Sequence, residues 1–311
     1  MLHHFAVPRL SAVERFFSTR SYKDLIGAYC WNQAVSAALL PILGDFEVAL
    51  RNALHRALSQ YCGGTDSAPW MTRRDCMASS GDRKLDAYHR LSPRTQQDIE
   101  AAIAKKKGSR GGDTAVTPDD IVAGLSFGFW EQLVKGLGHP SHPPDLQAIV
   151  LRQAFPYAPE TALTPHGSKN FRERLVRLLA RVRDIRNRIG HHEALWACPE
   201  FDLHGNVGFI PRRPRHTVAS LSAAMERVSW IAGWISPKVA NHIRATDHWC
   251  KLRSLLSRHA LATYRTMGGT AGTYRRVLDA LSEASEVSNH RSRRYPSPAS
   301  KRRRQLAAFH F

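Results

Sequence analysis

An all-α protein is what this 311-residue sequence predicts, on three observations. Apolar residues recur at helical spacing over long stretches. Helix-starting residues stand just ahead of those stretches. Runs that alternate apolar with polar residues are scarce. The apolar share of 43% is that of a folded chain with a real core.

The elements follow in chain order. Residues 33–61 keep Leu39, Leu43, Phe46, Leu50, Leu54 and Leu58 on one side, as an amphipathic helix does. Pro41 kinks that helix near its start or divides it in two. Ser92 and Pro93 open a helix over 92–107, and Thr117 with Pro118 repeats the device, with Asp119 and Asp120 suited to the positive helix N-terminus. Asn170 and Glu173 have capping-box spacing for a helix over 171–189. Further helical patterns cover 216–235, 248–264 and 271–286. The stretch 198–217, CPEFDLHGNVGFIPRRPRHT, reads as a loop or short hairpin. Residues 105–113 read as a basic, glycine-rich loop, and 289–311 as a disordered basic tail, either a nucleic-acid arm or a solubilising extension. No internal repeat is visible.

Charge narrows the partners. Lys+Arg 45 against Asp+Glu 26 gives +19, with a pI near 10.4. Such a balance favours a polyanion, nucleic acid first and an anionic membrane surface second. The N-terminus has no apolar core of signal-peptide length, and no run of about eighteen apolar residues occurs. Cys30, Cys62, Cys76, Cys198 and Cys250 are odd in number and scattered, which argues against a disulfide framework or a cysteine zinc site. The expectation is a reduced, cytosolic protein with no membrane segment.

The helix 171–189 carries the most informative pattern. Phe171, Leu175, Leu178, Leu179, Val182, Ile185 and Ile189 fall in one arc of about 120° at about 100° per residue. Arg172, Arg174, Arg177, Arg181, Arg183 and Arg188 fall outside it, as a solvated or nucleic-acid-facing surface. Arg186 falls inside, where a guanidinium needs either a carboxylate partner or an anion received in a cleft. His191 and His192 follow directly. On a continuous helix His191 stands about 140° from Arg186, too far round to share a site. Gly190 in the left-handed conformation would end the helix and turn His191 back towards Arg186, or towards the same site in a second subunit. Arginine and histidine together suffice for metal-free RNA cleavage. Imidazole moves protons near neutrality, and guanidinium stabilises charge on a phosphate. His191, His192 and Glu193 lack the i, i+4 spacing of a helical zinc site, and His139 and His142 lie in a proline-rich loop, so neither a metal nor a cofactor is expected. In the first long helix Glu47 falls within the apolar arc, Arg51 on its edge and His55 a turn further. An ordinary Glu47–Arg51 salt bridge is one reading. The other places Glu47 beside Arg186, as the carboxylate that a buried arginine requires.

The stretch RNRIGHHEALW resembles the R-N-x-x-x-H-H signature of the Abi-like (abortive infection) proteins of bacteria, which belong to the HEPN superfamily. Residues 29–54, YCWNQAVSAALLPILGDFEVALRNAL, and 125–134, LSFGFWEQLV, resemble the same family, so three motifs in order cover about residues 10–235. The resemblance implies a HEPN-like helical bundle with additional helices. For active members it implies metal-independent endoribonuclease chemistry at a site shared by two units. Arg186 and His191 would then be catalytic, with Asn187 assisting and His192 adjunct, and Arg177, Arg181 and Arg188 would bind RNA. Where Gly190 stands family members often have alanine, and at Glu193 a small or basic residue. A bacterial, cytoplasmic antiphage RNase toxin acting as a homodimer is the implied function. A protein that holds a structured noncoding RNA without cutting it is the rival, and DNA binding by the tail has little motif support. The linear partition is a helical domain over 1–260, an accessory helix over 261–288 and the tail over 289–311.

Overall fold

Thr–Pro and Ser–Pro steps and apolar spacing decide where the helices run. The computed structural model describes residues 7–62, 69–72, 93–109, 115–140, 142–159 and 164–294. In order the helices are α1 (Val7–Phe17), α2 (Tyr22–Tyr61), α3 (Pro69–Thr72), α4 (Pro93–Ser109), α5 (Pro118–Gly124), α6 (Phe127–Gly136) and α7 (Leu146–Ala154). There follow α8 (Pro165–Gly190), α9 (Pro214–Ile235), α10 (Pro237–Ala245), α11 (Asp247–Leu255), α12 (Arg258–Met267) and α13 (Thr273–Arg294). Among the described residues the only β pairing is one antiparallel bridge, Phe201 to Val207. The protein is all-α, as its periodicity predicts.

Several local expectations are met at the predicted residue. Thr117 caps α5 with a full capping box, its side chain accepting from the Asp120 amide while Asp120 accepts from the Thr117 amide. Pro93 opens α4, while Ser92 lies outside the described residues. Others are corrected. The helix expected to start at 171 starts at Pro165, because Thr164 accepts from the Gly167 amide at 3.0 Å and Pro165 fits the first turn. Asn170 and Glu173 are therefore helix interior, not a capping box. Residues 105–109 are helical rather than loop, with Lys106 and Lys107 at the negative end of α4. Pro41 does not divide α2 into two elements. Ala38, Leu39, Ile42 and Leu43 around it are all buried, and that packing offsets the roughly 3 kcal/mol of a helix-interior proline. The pattern over 248–264 divides into α11 and α12, where Ser257 caps the second helix through the Ala260 amide. Helix α13 runs past the expected boundary at 288 to Arg294, and the rest of the basic tail lies outside the described residues.

The chain divides into two compact units, Met1–Ala34 with Arg253–Phe311, and Val35–Leu252. The expected partition at 260 follows the chain linearly; compactness groups the two ends of the chain. In the terminal unit, Asp24 accepts from both Nε and Nη2 of Arg265, and Trp31 Nε1 donates to the Leu255 carbonyl at 3.0 Å. The bond from Arg265 holds the Asp24 carboxyl below its ordinary range. A Cβ at Gly27 would collide with the Tyr264 carbonyl, so glycine lets the two backbones meet.

The central unit buries an aromatic series that includes Phe46, Trp70, Phe127, Phe129, Trp130, Phe155, Phe171 and Trp234. Helices α6 and α7 both pack on α8, which buries Leu175, Leu178, Leu179, Val182 and Ile185. Helix α2 is long and apolar enough to cross a membrane by length and composition alone. Phe46, Leu50 and Leu54 on it are fully buried, as in a core helix.

Candidate functional site

The apolar arc of α8 faces the core and leaves the opposite face to arginine. With Arg174 at zero and about 100° per residue, Asn170, Arg174, Arg177, Arg181 and Arg188 share about 60°. At the end of this stripe lies a cleft of about 360 Å³, lined by Arg181, Asp184, Ile185, Asn187, Arg188, His191, Glu193, Cys198, Pro199 and Phe201. Asp184 lies 3.3 Å from Arg181, and Arg188 Nη1 donates to the Ala194 carbonyl at 3.1 Å. Burial pushes the Cys198 thiol up to about 11, so it stays protonated and is no nucleophile.

The helix ends differently from expectation. Gly190 remains helical, and the left-handed residue is His192, at φ 54°. The His192 amide donates to Ile189 and the Glu193 amide to Arg188, the paired bonds of a Schellman motif. Histidine is among the residues that tolerate this conformation. His192 therefore has a structural role as the cap. His191, whose amide still bonds to Asn187, follows the helical path and stays exposed at the cleft.

Because Gly190 does not turn the chain, Arg186 and His191 diverge. Arg186 does not line the cleft; it lies towards α2, with Nε 3.8 Å from Glu47 Oε2. Its side chain is 43% exposed, against 17% for Glu47, so the expectation of a buried Arg186 is corrected while its proximity to Glu47 is found. The guanidinium sits at the rim of the apolar arc, near the end of α8, where it reaches water. Arg51 is half-buried with its Nε enclosed, and His55 is a core residue whose Nδ1 accepts from Trp70 Nε1 at 3.2 Å. His139 and His142 stack edge to face at 6.1 Å. Among the described residues no cluster of three or more His, Cys, Asp or Glu is placed to hold a metal.

Sequence reasoning missed Glu131. It is 4% exposed on α6, 2.7 Å from Arg183 Nη1, and so ties α6 to α8. Burial raises its carboxyl above the ordinary range, more than Arg183 pulls it down. Its signal was available: a carboxylate among Phe127, Trp130 and Val134 on the buried face of α6. Also missed was a second cavity on the α8 stripe, lined by Asn170, Arg174, Arg177 and His204 among others.

The Abi-like protein family model matches residues 2–197, a span that ends just beyond His191 and His192. No curated protein matches the chain. No solved structure matches it either.

Proposed function

The chain belongs to the Abi-like family, and on that premise we propose that it is a bacterial, cytoplasmic abortive-infection protein that cleaves RNA without a metal, as HEPN endoribonucleases do. One observation carries this reading: His191 stands exposed in a cleft whose other polar walls include Arg181, Asn187 and Arg188. His191 takes the proton of a 2′-hydroxyl, and the freed oxygen attacks the adjacent phosphorus. The His191 imidazolium, of one or both subunits, gives a proton to the departing 5′-oxygen, leaving a 2′,3′-cyclic phosphate and a 5′-hydroxyl. Acid–base transfer of this kind supplies about 10²–10⁴ in rate. Arg181 and Arg188 hold the entering strand, and Asn187 donates to the phosphate. Arg186 stabilises the phosphate charge, but it lies outside the cleft of its own chain. It reaches the reacting group only if a second copy supplies it, so the active form is a homodimer.

The test is cleavage of total bacterial RNA in EDTA by wild type and by His191→Ala, with the product ends identified. Cleavage by wild type alone, with cyclic phosphate ends, is the expected result. Equal cleavage by both would remove His191 from the mechanism. A second reading, RNA holding without cleavage, draws on Asp184 and Glu193, two carboxylates in the same cleft. Under it neither protein cuts, and both bind a structured RNA with strong salt dependence.

A further inference from the structure

The second cavity on α8, of about 380 Å³, stands at the far end of the arginine stripe from the His191 cleft. Its chemistry is set by how two arginines are held. Arg174 Nε donates to the Leu203 carbonyl at 2.7 Å, and Arg177 Nε donates to the His204 carbonyl at 3.0 Å. Arg174 also lies over the faces of Trp230 and Trp234, at 5.1 and 5.2 Å from their centroids. Each guanidinium is thus fixed through one nitrogen, while its two terminal nitrogens have no hydrogen-bond partner among the described residues. The tip of the 200–209 hairpin supplies both carbonyls. It approaches this closely because residue 205 is glycine: φ is +78°, and a Cβ there would run into Arg177 and the Leu178 amide at 2.7 Å.

Two acids stand nearby, each with a contact of its own. Asp202 accepts from the amides of His204 and Asn206 and from the Asn206 side chain. Glu173, an exposed residue that also lines the cavity, lies 3.7 Å from Arg172. Among the described residues Arg172, Arg181, Arg183 and Arg186 each have a carboxylate within ion-pair distance, whereas Arg174 and Arg177 have none. A half-buried Arg174 and an exposed Arg177, both oriented by backbone carbonyls and with terminal nitrogens unbonded among the described residues, form a fork that suits a phosphodiester oxygen pair. Asn170 and His204 add polar side chains beside them.

We infer that this cavity is a second phosphate subsite, which grips the same RNA strand at a distance from the proposed cleavage cleft; the inference rests on the RNA reading above. Arg174 and Arg188 are fourteen positions apart on α8, hence about 21 Å. That span is about six stacked nucleotides at about 3.4 Å each, and fewer if the strand is extended. The subsite therefore sets a minimum strand length.

The experiment uses the full chain carrying His191→Ala, so that RNA is not consumed. Binding of single-stranded RNAs of about 12 and about 3 nucleotides is measured across salt, with and without Arg174→Gln plus Arg177→Gln. The longer strand is expected to bind about tenfold more weakly to the substituted protein, with the log–log salt slope reduced by about 1 to 1.5. Binding of the shorter strand, seated in the His191 cleft, should not change. Equal loss for both lengths, or no loss for the longer one, would overturn the subsite. So would a nucleoside monophosphate that occupies the cavity in preference to the strand. Failure of the parent to bind either RNA would instead overturn the RNA reading itself. His204→Ala, which keeps the backbone carbonyl that pins Arg177, serves as a second variant with a smaller loss confined to the longer strand. A melting temperature equal to the parent's shows that each variant is folded.

Discussion

Arg265 and the α8 arginines carry the same side chain in opposite circumstances. Arg265 meets the carboxylate of Asp24 through two nitrogens, and both side chains are largely withdrawn from solvent. Arg174 and Arg177 are held by neutral carbonyls, and their terminal nitrogens have no hydrogen-bond partner among the described residues. Arg186 stands between these cases, with one long contact to Glu47 and 43% exposure. Two-nitrogen pairing with a carboxylate makes Arg265 part of the scaffold, whereas anchoring by backbone carbonyls orients Arg174 and Arg177 without neutralising them. The charge of +19 by itself distinguishes neither.

The largest effect that would sharpen this contrast is catalytic. His191→Ala is expected to lower RNA cleavage by about 10²–10⁴, with folding unchanged because its side chain is exposed. Parallel assays of cleavage and melting temperature check both halves of that statement.

Next comes the scaffold pair. Asp24→Asn should destabilise the protein by about 1–3 kcal/mol while leaving RNA affinity alone, as chemical denaturation and RNA titration would show. Its pH dependence has a definite sign. The Asp24 carboxyl is lowered by its bond from Arg265, so its contribution is present above the ordinary value of 3.8 and is lost as pH falls through the lowered one. Glu131 behaves in the opposite sense. Its carboxyl is raised by burial, so stability from this group is greatest below the ordinary 4.5 and falls as pH rises through the raised value. Glu131→Gln should flatten that decline, measured as melting temperature against pH.

The smallest effects lie at the end of α8. Gly190→Ala should stabilise by about 0.5–1 kcal/mol, since the residue is helical and a Cβ there meets nothing. His192→Gly should keep both folding and cleavage, because glycine accepts the left-handed cap, whereas His192→Val should lower the melting temperature. Loss of cleavage in a folded His192→Gly protein would give that imidazole a chemical role after all.

Much of this architecture was legible in the sequence because it depends on local rules. Thr117–Pro118 announces α5, and the apolar arc of 171–189 announces the buried side of α8. Glu47 was recognisable as the neighbour of Arg186 because each interrupts an apolar arc. The end of α8 was not legible in the same way. Glycine at 190 and histidine at 192 both permit a left-handed turn, and the hydrogen bonds of Glu193 and His192 decide between them. The second cavity was hidden for a similar reason. Its arginines were visible on the wheel, but their anchors are backbone carbonyls of a hairpin, which no side-chain pattern records.

The proposed cooperation of Arg186 and His191 across two chains is tested by mixing subunits. Arg186→Ala and His191→Ala, each inactive alone, are combined in equal amounts and allowed to exchange subunits. A mixed dimer retains one site with both residues intact, so cleavage should return to about a quarter of the wild-type level. Cleavage that stays absent from the mixture, while mixed dimers form and wild type is active, would place both residues in one chain and contradict the account.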